Sequence, residues 1–255
     1  ALDHVLRICR VISTPRGSLL IVGVGGSGKQ SLTRLAAYAQ GFPVFQPTVT
    51  AHYNLTNWFD DLRAQYNVAG QGHAVFLVTE SDLKEESYLE YINASLAGGD
   101  VPGLFNIDEK DQARTSIRSI AKQNAKREFE DSEEWLWSYF IERVRTNLHY
   151  VICFSPQGDK FRSRVRQFPG IIAACTINYF FPWPEEALLD VASKLLAGLD
   201  IKNSQKVINE LPHLAASIHS KIADLCDDYF VRYRQSVSAT PKVFLTLLEQ
   251  FASVY

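Results

Sequence analysis

The stretch GVGGSGKQSL, residues 23–32, sets Gly23, Gly28 and Lys29 in the spacing G-x-x-x-x-G-K. That spacing suits phosphate. Gly23, Gly25, Gly26, Ser27 and Gly28 let successive backbone N–H groups converge on a β-phosphate, a following helix adds its positive N-terminal end, and Lys29 reaches the β/γ oxygens. The next position ordinarily offers a hydroxyl to a metal ion, but here it is Gln30. Ser31 lies one helical residue on, about 100° around the axis, and is placed for an α-phosphate instead. A glycine-rich turn with a chance lysine is the bland alternative; it would not need an apolar strand before it and a helix after it.

Two further strand ends carry chemistry. The run AVFLV, residues 74–78, stops at Thr79-Glu80, where a hydrolysing phosphate-loop enzyme has Asp-Glu, the Asp for the metal and the Glu for the attacking water. Glu80 is thus the candidate catalytic base, and the metal carboxylate is missing at Thr79. A solvated loop acid is the rival reading of Glu80. Asp82 lies too far past the strand end to serve in its place without a bulge. HYVICF ends at Ser155, a position suited to sensing a γ-phosphate, and FRSRVRQFP carries Arg162, Arg164 and Arg166. Such a cluster is either a solvated helix face or an arginine finger offered to a neighbouring module's nucleotide, with Arg164 the best choice and Arg166 or Arg162 the alternatives. No set of metal ligands is assigned.

The elements that must position these groups alternate. SLLIV before the loop reads as a buried strand, and Leu32, Leu35, Ala36 and Ala39 follow at helical spacing until Gly41 and Pro43. PVFQPTV fits a second strand, Asn54 to Tyr66 an amphipathic helix with Leu55, Trp58, Phe59 and Leu62 on one face, and residues 74–78 a third strand. A helix through Tyr88, Leu89, Ile92 and Leu96 ends at Gly98-Gly99. Residues from about 100 to 131, most polar between Asp108 and Ser132, read as an exposed, partly helical insertion. WLWSYFIERV starts a helix, HYVICF is a strand, and Ile171 to Phe180 a fifth. Strands nearly continuous in apolar residues and separated by helices predict a five-stranded parallel sheet covered on both faces, an α/β fold. From Pro182 only helices follow, which puts a boundary at Phe181–Pro184: a large nucleotide-binding subdomain over 1–181 and a small all-helical lid subdomain over 182–255.

Composition narrows the partners. The chain has 255 residues, a formal net charge of −2 and 46% hydrophobic residues, enough for a sizeable core and without the basic excess of a nucleic-acid binder. Its apolar runs are strand-length, so no membrane span is expected, and the N-terminus ALDHVLRICR has no signal-peptide pattern. Cys9, Cys153, Cys175 and Cys226 are widely spaced, as expected of buried thiols and not of a disulfide framework or zinc site. Absence of any Met, with a start inside a helical pattern, reads as an internal module of a longer polypeptide.

The quoted loop, LVTESDLKEESYLEYINASLAGGDVPGLF, RTNLHYVICFSPQGDKFRSRVRQFPG and INYFFPWPEEAL together resemble the fourth AAA+ module of a dynein heavy chain, more the axonemal than the cytoplasmic type. The likeness runs from LDHVLRICRVI to TPKVFLTLLEQF. It implies a P-loop AAA+ fold that binds ATP or ADP, with magnesium weakly held, in a regulatory or structural role with weak hydrolysis of its own. Lys29 with its glycines matches the phosphate loop, Glu80 the hydrolytic acid, Ser155 the first sensor and Arg164 the finger serving the preceding module. Implied partners are the neighbouring modules of the same chain and a coiled-coil stalk leading to microtubules, in the cytoplasm and the axoneme of a cilium or flagellum; no nucleic acid or membrane is among them. Two other readings stay open: an active AAA+ ATPase module of another ring, and a purely structural module with an empty pocket.

Overall fold

The computed structural model describes residues 1–125, 129–156, 159–197, 205–235 and 237–254. Its elements are helix α1 (Leu2–Ile12), strand β1 (Ser18–Gly23), α2 (Lys29–Gln40), β2 (Val44–Phe45), α3 (Leu55–Gln71), β3 (Ala74–Thr79), α4 (Ser87–Gly98), α5 (Ile107–Ala125), α6 (Glu133–Asn147), β4 (Leu148–Phe154), α7 (Asp159–Gln167), α8 (Pro169–Ala174), β5 (Cys175–Phe180), α9 (Glu185–Leu196), α10 (Gln205–Tyr233) and α11 (Pro241–Val254). The five strands form one sheet in the order β2-β3-β4-β1-β5, and the pairs β2–β3, β3–β4 and β4–β1 are parallel. β1, β3 and β4 are buried along their whole length, which is why their sequences are almost uninterruptedly apolar. Val22 pairs with Phe154 and Thr79 with Cys153, so three strands finish along one edge of the sheet.

Two compact units emerge. One comprises Ala1–Val22, Gln30–Phe154 and Arg162–Asn178; the other Gly23–Lys29, Ser155–Phe161 and Tyr179–Tyr255. In the first, Trp58 of α3 stacks on Tyr88 of α4 at 4.6 Å, and the buried hydroxyls of Tyr66 and Tyr150 meet Ser95 Oγ at 2.6 and 2.8 Å. In the second, Leu188, Ala192 and Leu196 of α9 pack with Ala215 and Ala216 of α10 and Phe244 and Leu248 of α11. No helix among the described residues is long and apolar enough to cross a membrane.

Several elements differ from their sequence reading. β2 is two residues long because Pro43 and Pro47 bracket it and proline cannot donate to a ladder; Pro43 only accepts, from Val75 N–H at 2.9 Å. The run Ile171–Phe180 is not all strand: Pro169 at the first helical position starts α8, and β5 begins at Cys175. α2 buries Thr33, Ala36 and Ala37, leaving Leu35 52% exposed, so its inward face is turned from the predicted one. Between Ile107 and Ala125 the polar segment is a continuous helix that buries Ala113, Ile117 and Ala121. Of the cysteines, Cys153 and Cys175 are buried while Cys9 and Cys226 are half-buried, and none of the four is in a disulfide.

At the opposite ends of β3 and β4 a histidine pair closes the sheet. His149 Nδ1 donates to the Gly17 carbonyl at 2.7 Å, which leaves its Nε2 to accept from His73 Nδ1 at 3.0 Å, and Phe42 stacks on His73 at 4.6 Å. Burial pushes the His149 imidazole down to about 4, with the neighbouring His73 adding in the same direction. A histidine depressed in the folded state stabilises the protein above its unfolded value near 6.5, and that contribution is lost as pH falls toward 4. We expect about 3 kcal/mol to disappear over this window, seen as a falling Tm between pH 6.5 and 4 that is flatter in His149→Asn. An identical pH profile in that variant would contradict the assignment.

Candidate nucleotide site

The glycine loop turns through left-handed backbone at Gly26 and Gly28, with φ of 75° and 90°. A side chain on Gly26 would also strike solid structure, since its Cβ would lie 2.4 Å from Lys242 N and 2.7 Å from Lys242 Cα. A Cβ on Gly25, by contrast, would meet nothing within 4 Å. Lys29 Nζ donates to the Gly23 and Val24 carbonyls at 2.6 and 2.7 Å, so the ammonium is held over the loop. Ser27 is buried; Gln30 and Ser31 are exposed on the first turn of α2. This cradle fits a phosphate group. Left-handed glycines expose N–H donors on one side, a fixed ammonium stands beside them, and Gly25 leaves the approach open.

Lys242 escaped the sequence reading. It lies in the first turn of α11, after Thr240 and Pro241, and that turn holds no acidic residue.

Beyond β3 the chain makes a single 3-10 turn, Glu80–Asp82. The turn folds Asp82 back onto the strand end, nearer than its place three residues past Thr79 suggests. Its Oδ2 accepts from Thr79 N–H and Thr79 Oγ1, each at 2.8 Å, and from Gln46 Nε2 at 3.0 Å. Thr79, where a metal carboxylate would stand, is therefore occupied as the partner of a buried carboxylate. Among the described residues no group of three or more His, Cys, Asp or Glu is arranged to hold a metal ion.

Arg164 of α7 is 5% exposed, held by carboxylates of its own unit. Its Nε and NH2 engage Glu86 at 3.0 and 2.8 Å, its NH1 donates to Glu80 Oε1 at 2.9 Å, and its guanidinium carbon sits 5.1 Å from the Phe154 ring centre. The Glu86 contact, more than the charge of Glu80, raises the Arg164 pKa further above its usual value. Arg162 and Arg166 are exposed on the same helix, and Ser155, just past the end of β4, is half-buried. The structure thus brings Glu80 and Arg164 together and turns the two alternative finger arginines outward. Glu86 was missed because one acid in KEES carries no spacing signal.

Residues 1–254 match a family profile described as P-loop containing dynein motor region D4. The chain belongs to this dynein family. It is 43% identical over 257 residues to dynein axonemal heavy chain 5 of Rattus norvegicus, an alignment covering all of this chain and 7% of that one. It is 42% identical to dynein axonemal heavy chain 8 of Homo sapiens over 257 residues, again its whole length and 6% of the relative. Over 254 residues it is 41% identical to the dynein gamma chain of the flagellar outer arm of Chlamydomonas reinhardtii, 99% of this chain and 6% of that one. The chain therefore spans a small part of these dynein heavy chains. Its five-stranded sheet, phosphate loop and C-terminal helices are those of an AAA+ module of the dynein motor region.

Proposed function

We propose that this chain is the fourth nucleotide-binding module of an axonemal dynein motor ring, resident in the cytoplasm at the axoneme of a cilium or flagellum. It binds ATP or ADP in a regulatory or structural role and turns nucleotide over weakly. The carrying observation is the loop: left-handed Gly26 and Gly28 with the Lys29 ammonium held across Gly23 and Val24. Gly23, Gly25, Gly26, Ser27, Gly28 and Lys29 would hold the β- and γ-phosphates, Ser31 the α-phosphate, and Ser155 would sense the γ-phosphate. A bound triphosphate supplies the bond to be cleaved; Glu80 is the base that would orient water toward it.

Magnesium fits poorly. Gln30 offers no hydroxyl, and the Thr79 hydroxyl is engaged by Asp82 and Ser81. Weak turnover follows from these residues while phosphate binding does not suffer. The large subdomain, 1–181, and the helical lid, 182–255, are the working parts. Neighbouring modules of the same chain are the direct partners, and a stalk coiled coil connects the module to microtubules; the names of the axonemal and flagellar relatives support this placement. Photo-crosslinking of an 8-azido adenine nucleotide to the peptide around Lys29, in the intact heavy chain, tests the reading. Lys29→Ala should lower affinity at this loop about tenfold or more, the loss of one charge-assisted contact.

A further inference from the structure

We propose that Gln46, backed by Arg34, is a positioning residue that locks Asp82 onto the end of β3 and so closes that strand end to a divalent cation. This extends, and rests on, the reading of a nucleotide site without a well-formed metal site. Asp82 is 7% exposed, and three donors converge on its Oδ2: Thr79 N–H and Thr79 Oγ1, each at 2.8 Å, and Gln46 Nε2 at 3.0 Å. Thr79 gives its single hydroxyl hydrogen to Asp82, so the Ser81 hydroxyl, 2.8 Å away, donates to Thr79 Oγ1. The Thr79 bonds are local to the turn; the Gln46 bond brings in a second strand.

Gln46 follows β2 directly, one step past the Phe45–Phe76 pair, and Pro47 behind it favours an extended backbone. On its other side Gln46 Oε1 accepts from Arg34 NH2 of α2 at 2.6 Å. These partners fix the amide. A guanidinium only donates and a carboxylate only accepts, so a carboxamide with its oxygen toward Arg34 and its nitrogen toward Asp82 serves both. Accepting from a cation polarises the amide and strengthens its N–H toward the anion. Arg34, Gln46, Asp82 and Thr79 thus join α2, β2 and the end of β3 in one chain.

The consequence for a metal is electrostatic. A buried carboxylate needs donors or counter-charge, and here N–H and O–H groups already aim at Oδ2. Magnesium keeps much of its water shell and takes one or two carboxylates, so at Asp82 it would have to displace those donors. Without the Gln46 donor, Asp82 keeps its two Thr79 bonds but loses its link to Arg34, and a divalent ion then supplies the missing positive charge. The opposite reading makes Asp82 a transposed metal carboxylate that Gln46 holds in place for the ion. The two readings give Gln46 opposite effects on the response to magnesium.

The test follows hydrogen exchange of the Thr79 amide, a donor to Asp82, by mass spectrometry in the full heavy chain without nucleotide, in magnesium and in EDTA. In the parent the two rates should agree within about twofold. Gln46→Met, close in length but without the amide, should exchange about tenfold faster in EDTA, and magnesium should bring it back to within about threefold of the parent. Arg34→Met, at an exposed position of α2, should show the same pattern at about threefold, and Arg34→Lys, which still donates to Gln46, should match the parent.

A role confined to packing would speed exchange equally in both solutions, and that result would overturn the lock. So would a parent whose exchange slows about fivefold or more on adding magnesium, as expected of an Asp82 already serving an ion, or Met variants indistinguishable from the parent. Each of these outcomes leaves the nucleotide reading intact. That reading falls instead if the parent's loop takes no 8-azido crosslink, whatever the exchange shows.

Discussion

Replacing Arg162 and Arg166 together by Ala in an assembled dynein ring is expected to slow nucleotide turnover at the preceding module by about 10³, with nucleotide binding at this module's own loop nearly unchanged. Both side chains are exposed on α7, whereas Arg164 is buried between Glu80 and Glu86. A finger must reach a phosphoryl group on another module; the sequence favours Arg164 for that task with Arg166 or Arg162 as alternatives, and the exposure of these two makes them the pair to test here. Single-turnover phosphate release at the preceding module decides it. An unchanged rate in the double variant leaves the pair as a solvated basic face, whose energetic contribution is near zero.

A second expected result concerns the lost metal site. Gln30→Thr with Thr79→Asp restores the usual ligand types, but the structure adds a condition. A carboxylate at position 79 would fall beside Asp82, whose Oδ2 now lies 2.8 Å from Thr79 Oγ1. Two carboxylates at that range cannot both ionise without a cation between them or a proton on one. The triple change Gln30→Thr, Thr79→Asp, Asp82→Asn should therefore raise magnesium-dependent phosphate release at least tenfold, about 1.4 kcal/mol off the barrier, while the double change gives much less. The double variant should also have a lowered Tm that magnesium partly restores. If the folded, nucleotide-binding triple variant is no faster than the parent, Glu80 is not a base waiting for a metal.

Much of the fold could be read from residues. β1, β3 and β4 announced themselves as apolar runs because a parallel strand is buried on both faces, and Gly99, with φ of 78°, ended α4 where Gly98-Gly99 stands in the sequence. The helix over 107–125 lies within the segment read as exposed and partly helical; its extent was hard to fix because its buried face is two alanines and one isoleucine, faint against its charged residues. A local signal was present: Asn106 and Glu109 cap each other reciprocally at 2.8 Å, the N-x-x-E form of a capping box.

The site divides along the same line. The phosphate loop is local in sequence, so its spacing alone was informative. The Arg164 cluster joins residues of α7, the start of α4 and the end of β3, and no spacing encodes a contact between positions 78 and 84 residues apart. Asp82 shows the intermediate case. A three-residue count suggested it overshoots, whereas a 3-10 turn advances only about 2 Å per residue and brings it back.

The central claim is that this module holds adenine nucleotide through its loop and Lys29, independently of a well-formed metal site. Its most direct test is the half-saturating concentration of 8-azido-ADP for crosslinking to the loop peptide in the intact heavy chain, measured for the parent and Lys29→Ala in magnesium and in EDTA. The account predicts a shift of about tenfold or more on Lys29→Ala and less than about threefold on removing magnesium. Crosslinking unaffected by Lys29→Ala, or abolished by EDTA, would contradict it.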